Sequence, residues 1–279
     1  MIHLAVPVES TRSPRTKYTA QGLGDRVHLL TLAYSVSVTE KQPVTLHLTG
    51  EMSHGFKRQS FLEILELFPL DLIWVHFHAI DFDSNLEFYD YLKNLGLEIE
   101  TFYYGDFLGW NELPLGIDAS RYLSSLPLLK APKPDLEKPY VTSQWDSSGK
   151  ARRISKIDIQ SIKTKYLNLG YEIITIGGEA HLEDNRQSLK EIATLISGAT
   201  FHIGVDSGFM HLAQLYLPPS DIHIYTSPKN FWSHHLFRGL RNGMQLNVHW
   251  KKINRIQVYV LKIRYSSNTL LRLWHSLRR

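Results

Sequence analysis

Short apolar runs alternate with helical patterns along most of the chain. Runs rich in β-branched and aromatic residues predict strands at Ile2–Val8, Val44–Leu48, Leu72–Phe77 and Leu97–Tyr103. Between them, apolar residues recur at helical spacing near Arg26–Val36, Gln59–Leu67 and Asn85–Leu95. The pattern breaks at LPLLKAPKPDLEKPY, where Pro127, Pro132, Pro134 and Pro139 exclude a helix interior and predict an extended linker. The alternation then resumes. Strands are expected at Tyr140–Gln144, Tyr171–Ile176, Thr200–Val205 and Asp221–Tyr225, and helices near Ile157–Leu169, Asn185–Ser197 and Phe209–Leu217. Strands alternating with helices predict βαβ units and parallel sheets. Two such sets around a linker predict an α/β chain of two doubly wound domains, residues 1–130 and 131–279. Ligands of such sheets sit beyond the carboxyl ends of the strands, so the expected site is the cleft between the domains. Towards the end, Ser267-Asn268 is placed to cap a last helix, Thr269–Leu277.

Composition changes this picture in two ways. The 279 residues are 43% hydrophobic, enough for sizeable cores, and contain no cysteine, which removes disulfides and thiolate chemistry. The start, MIHLAVPVESTR, lacks the basic lead of a secretory signal, and no window approaches the roughly twenty apolar residues of a membrane span. A cytoplasmic setting is expected. The net charge of +4 hides an asymmetry: no acidic residue follows Asp221, whereas Lys229, Arg238, Arg241, Lys251, Lys252, Arg255, Lys262, Arg264, Arg272, Arg278 and Arg279 do. A cationic tail on an acidic body suits an anionic partner such as the inner face of a membrane or an anionic glycolipid, or is simply a solvated basic face. It carries no nucleic-acid-binding motif and no aromatic stacking pattern, so nucleic acid is not expected.

Three strand-to-helix junctions carry the candidate chemistry. In GLGDRVHLL, Gly22 and Gly24 permit close backbone approach and Asp25 stands at a helix start, where it is either a functional carboxylate or an N-cap. In YEIITIGGEAHLEDN, a strand ends in Gly177-Gly178 before Glu179, a carboxylate suited to ribose hydroxyls or an exposed loop acid. In ATFHIGVDSGFMHLAQLY, Asp206-Ser207-Gly208 joins a strand to a helix. Such a junction aims free amides and a positive helix end at one point, which favours phosphate, although Asp206 or Ser207 also serves as a plain cap.

Together, in this order and spacing, the three resemble the heptosyltransferases of glycosyltransferase family 9. The likeness is strongest from Gln187 to Ala213 and continues through DIHIYTSPKNFW. It implies the GT-B fold, two Rossmann-like domains facing across a cleft. It also implies an inverting transfer of a heptose-like sugar from a nucleotide-diphosphate donor, ADP-heptose by analogy, to a saccharide or glycolipid acceptor of lipopolysaccharide assembly. The resemblance makes Asp25 the general base. It places the diphosphate on Asp206, Ser207, Gly208, the amide of Phe209 and His211, and the ribose and base beside Glu179, Gly178 and Gln187. The family's basic residue after the linker falls on SSGKARRIS, at Arg152 with Lys150 and Arg153 close by, but the Trp-Pro that accompanies it in the family is absent. No metal or other cofactor is implied, because cations and helix ends hold the leaving diphosphate in this fold. Two other readings stay open: a nucleotide-sugar epimerase, and a non-catalytic nucleotide-binding scaffold.

Other signals weigh less. Asp81-Phe82-Asp83 reads as a loop of solvated acids. His76-x-His78 and His234-His235 lack a third ligand at suitable spacing, and His76 and His78 share one side of a strand, where they would also line the cleft.

Overall fold

The computed structural model describes residues 1–5, 23–49, 55–80, 82, 85–102, 116–117, 128–146, 153–177, 187–226 and 247–250. The first sheet contains β1 (Ile2–Ala5), β2 (Val44–Leu48), β3 (Ile73–Phe77), β4 (Ile99–Phe102) and β5 (Gly116–Ile117). Its helices are α1 (Leu23–Glu40), α2 (Gly55–Leu65) and α3 (Asn85–Asn94). The second sheet contains β6 (Tyr140–Gln144), β7 (Glu172–Thr175), β8 (Phe201–Gly204), β9 (Ile222–Thr226) and β10 (Asn247–Trp250). Helices α4 (Lys156–Asn168), α5 (Leu189–Gly198) and α6 (Gly208–Tyr216) alternate with its strands.

Every described pairing is parallel, in the orders β3-β2-β1-β4-β5 and β10-β9-β8-β6-β7. The chain order reverses beside β1 in the first sheet and between β6 and β8 in the second. A crevice opens at the carboxyl end of a parallel sheet where successive connections leave to opposite sides. The segment after β1 leads to α1, and β8 leads straight into α6, so the first and third junctions lie at these switch points.

Burial follows from strand position. All five residues of β2 and of β6 are buried, as expected of inner strands covered on both faces. The outer strand β3 instead alternates, leaving Trp74 half-exposed and burying Ile73. The largest core cluster is continuous between the two halves. Leu4, Val27, Leu30, Leu46 and Phe61 belong to the same cluster as Ile176, Ile192, Ile196, Met210, Leu212 and Leu215. Helix α1 packs on α6 and α2 on α5, so along these helices the two sheets are joined by apolar packing rather than separated by an empty cleft.

Residues 128–139 of the proline-rich segment form neither helix nor strand, but the segment is not a free tether. Leu129 N–H donates to the Leu215 carbonyl at 2.7 Å, Ser197 Oγ donates to the Ala131 carbonyl at 3.2 Å, and both Leu129 and Ala131 pack on the main core. Helix boundaries shift for local reasons. Helix α5 begins at Leu189 rather than near Asn185 because Ser188 and Glu191 form a capping box. Helix α1 begins at Leu23, before the expected Arg26, and runs to Glu40. Strand β5, of two residues, is too short to stand out in the sequence pattern, and β10, of four residues, was not expected. The expected last helix, Thr269–Leu277, lies outside the described residues, as do Lys251 and the basic residues after it.

Several histidines are packed into the sheets in neutral form. Burial pushes His47 down to about 3, His78 to about 4, His202 to about 3 and His223 to about 4, from an ordinary value of 6.5. The unfolded chain therefore binds protons at these sites below pH 6.5 while the folded chain does not. Their neutral packing carries no proton-linked penalty above pH 6.5, and stability is lost as the pH falls from there towards about 4. The urea midpoint is expected to drop steadily over that window. A midpoint unchanged between about pH 7 and about pH 4.5 would contradict neutral burial of these rings.

Candidate functional site

The Asp-Ser-Gly turn follows β8, whose end is fastened by Val205 N–H donating to the Gln144 carbonyl at 3.1 Å. Asp206 is 2% exposed and Ser207 is 7% exposed. Ser207 occupies the N-cap of α6 with φ −152° and ψ 171°, yet its side chain makes no capping hydrogen bond. Its Oγ is buried and has no hydrogen-bond partner among the described residues. A buried hydroxyl normally finds a partner, and a helix start normally uses its N-cap side chain. A helix start leaves its first amides without intrahelical partners, and here the unpartnered Oγ lies beside them.

This turn touches the other two junctions. Gly208 lies against the start of α1: a Cβ there would stand 2.6 Å from Leu23 Cβ and 2.8 Å from the Gly24 nitrogen. Reciprocally, a Cβ on Gly24 would stand 2.8 Å from His211 Cδ2 and 3.4 Å from Gly208 Cα. The second junction is met by Phe209. Gly177 has φ +74°, and a Cβ on it would be 2.5 Å from the Phe209 ring. Leu23, Gly24 and Gly177 thus gather around the first turn of α6, although they are far apart in sequence.

Gly24 permits the close backbone approach expected of it, and Asp25 was expected at the helix start, as a functional carboxylate or an N-cap. The helix begins at Leu23, so Gly24 is helical and Asp25 lies inside the first turn. An acidic residue there complements the positive helix end. The side chain of Asp25 lies outside the described residues. Gln187 is half-buried just before α5, with its Oε1 buried and without a hydrogen-bond partner among the described residues. Lys150, Arg152, Gly178 and Glu179 lie outside the described residues, and Arg153 is exposed.

Sequence reading missed the contacts that assemble this region. It did not foresee that Phe209 and His211 pack on the glycines of the other junctions. The signal was present as glycine spacing, but which surface each glycine meets is a tertiary fact. It also missed Arg26, which is 4% exposed and donates from Nη1 to Ser60 Oγ at 2.6 Å, joining α1 to α2.

The His76–His78 pair has company that its spacing did not reveal. His47 Nδ1 lies 3.0 Å from His78 Nε2, and His47 Nε2 lies 3.1 Å from His3 Nδ1. His78 is buried rather than open to a cleft, while His76 is exposed. Both nitrogens of His47 are engaged by different rings, so these rings form a row rather than a tripod. Among the described residues, no group of three or more His, Asp or Glu is placed to hold a metal ion. Asp81, Asp83, His234 and His235 lie outside the described residues. Among the described residues, no helix is long and apolar enough to cross a membrane.

Neither a protein-family model nor a curated protein sequence matches the chain. Its fold, however, matches solved structures. Escherichia coli ADP-heptose lipopolysaccharide heptosyltransferase II superposes with a TM-score of 0.54 at 12% identity, covering 95% of this chain and 100% of that one. A glycosyltransferase family 9 protein from Veillonella parvula gives 0.53 at 12% identity, covering 95% of this chain and 88% of that one. The iron-containing dodecameric glycosyltransferase TibC of enterotoxigenic E. coli gives 0.52 at 13% identity, covering 91% of this chain but 63% of TibC. The chain therefore has the parallel-sheet α/β fold of the heptosyltransferases.

The glycine contact at the junction has a measurable consequence. Gly208→Ala places a methyl against the α1 backbone, where there is no flexible side-chain end to yield. It is expected to destabilise the protein by about 1–3 kcal/mol, the usual range for overpacking. A denaturant midpoint within error of wild type would refute this contact.

Proposed function

We propose that this chain is a glycosyltransferase that moves a heptose-like sugar from a nucleotide-diphosphate donor to a saccharide or glycolipid acceptor, with inversion and without a metal. The observation that carries the proposal is the unpartnered, buried Oγ of Ser207 at the start of α6, at the switch point of the second sheet. The fold of the heptosyltransferases supports it, and one such neighbour, E. coli heptosyltransferase WaaC, was solved with ADP at a TM-score of 0.51 and 13% identity. ADP-heptose is the donor favoured by this analogy.

In this reading residues 131–279 bind the donor and residues 1–130 the acceptor. Negative charge grows on the leaving diphosphate as the glycosidic bond breaks. The Ser207 hydroxyl and the amides of Gly208 and Phe209 stabilise it, with Arg152 or Lys150 as the cation. Asp206, buried directly before Ser207, belongs to the same turn. Asp25 takes the proton from the acceptor hydroxyl, a contribution of about 10²–10⁴ in rate. Glu179, Gly178 and Gln187 lie on the ribose and base side. The basic residues from Lys229 onward bring the protein to an anionic membrane surface, near a glycolipid acceptor.

Two measurements test this. Thermal unfolding with ADP, GDP, UDP and CDP is expected to show stabilisation by one of them, about 2.7 kcal/mol at 100 times the dissociation constant, and Ser207→Ala is expected to remove it. If no nucleotide raises the midpoint, the donor site does not exist as described, and the nucleotide-binding scaffold reading falls with the transferase. Binding to vesicles containing anionic phospholipid is expected to fall steeply between about 0.05 and about 0.5 M salt, since exposed charges are screened over that range. Salt-insensitive binding would rule out electrostatic attachment.

A further inference from the structure

We infer that His211 is a positioning residue, holding the first turn of α1 at a fixed height against the phosphate-binding turn, and not a ligand of the diphosphate. The inference rests on the proposed transferase reading, which it deepens by separating the residues that hold the donor from the residue that aligns the base-bearing helix.

The geometry accounts for the ring on two sides. Its Cδ2–Nε2 edge fills the space that a side chain at position 24 would occupy, at 2.8 Å and 3.6 Å from where that Cβ would stand. Its Nδ1 faces Gln214 Nε2 at 3.5 Å. Gln214 is itself 1% exposed and its Nε2 also approaches Met210 Sδ at 2.9 Å, so the backing of the ring is fixed within α6. One turn earlier on the same side, Gly208 meets Leu23 and the Gly24 nitrogen. The first turn of α1 is therefore gripped by Gly208, which allows the approach, and by His211, which sets its limit.

Asp25 follows Gly24 directly in that turn. A proton acceptor carried by a helix is placed no more accurately than the helix itself. A displacement of about 1 Å at a reacting group costs on the order of 10²-fold in rate. The glycine at 24 and the imidazole at 211 thus form a complementary pair of volumes, one missing and one supplied.

That complementarity gives the test its sign. Turnover is read as ADP release from ADP-heptose in the presence of lipopolysaccharide core lacking heptose, and donor-site affinity is read separately with ADP. His211→Ala opens a void and is expected to lower kcat about 10–100-fold while changing ADP affinity less than about threefold. Gly24→Ala alone forces the ring aside and is expected to lower kcat about tenfold. In the double variant the new methyl refills part of the space left by the ring, so it is expected to turn over at least about threefold faster than His211→Ala.

His211→Leu keeps the volume without a nitrogen and is expected to retain kcat within about threefold, so a poorly folded alanine variant does not leave the question open. A phosphate ligand behaves in the opposite way. His211→Leu and His211→Ala would both weaken ADP binding more than about tenfold, and Gly24→Ala would add a further loss; either result overturns the positioning role. Wild-type protein that neither binds ADP nor releases it from the donor overturns the transferase reading, and the positioning role falls with it. Turnover with additive losses overturns the positioning role alone.

Discussion

Two glycines in contact determine how this molecule is put together. Gly208 and Gly24 allow the first turns of α6 and α1 to approach until backbone meets backbone. Each turn sits at the switch point of its own sheet, so bringing the turns together brings together the two places where a parallel sheet binds ligands. Larger side chains at these positions would force the helix starts apart and separate the junctions. The apolar packing of Leu30, Met210, Leu212 and Leu215 supplies the adhesion between the halves. The glycines set the distance at which that adhesion acts.

Close packing of two helix starts carries an electrostatic consequence. Each start has a partial positive charge of about half a unit, and two such poles near contact repel by on the order of 1 kcal/mol at an effective dielectric of about 20. The sequence places an acidic residue at each pole: Asp25 in the first turn of α1 and Asp206 directly before the Ser207 cap. Asp206 is enclosed at the end of β8. Ser207, beside it, has a buried hydroxyl with no hydrogen-bond partner among the described residues.

The sequence revealed most of the elements because parallel α/β folds announce themselves by alternation. Inner strands such as Val44–Leu48 and Tyr140–Gln144 appear with the boundaries expected, since both faces are buried and the run ends where burial ends. The start of α5 was less legible because it is set by the Ser188–Glu191 capping box and not by apolar spacing. The candidate site was legible as three junctions but not as one place. Nothing local to Gly177 says that its neighbour is the ring of Phe209, and nothing local to Gly24 says that it faces His211. The histidine row shows the same limit. His76-x-His78 is visible as a pair, whereas its union with His47 and His3 depends on strand order.

That limit bears on how a motif is interpreted. Asp-Ser-Gly-Phe-Met-His reads as one ligand-binding string when it is taken along the chain. In the folded protein its members divide by direction. Asp206 is buried, Ser207 leaves its hydroxyl without a described partner, Gly208 is the contact with α1, Phe209 covers Gly177, and Met210 enters the core. A helix turns about 100° per residue, so consecutive residues in its first turn must face different neighbours. A helix start wedged between a second helix and a strand end has several surfaces to satisfy and few residues with which to do so. One short segment can therefore fasten several junctions at once, because its side chains take up the contacts while the backbone amides of the same residues point along the helix axis.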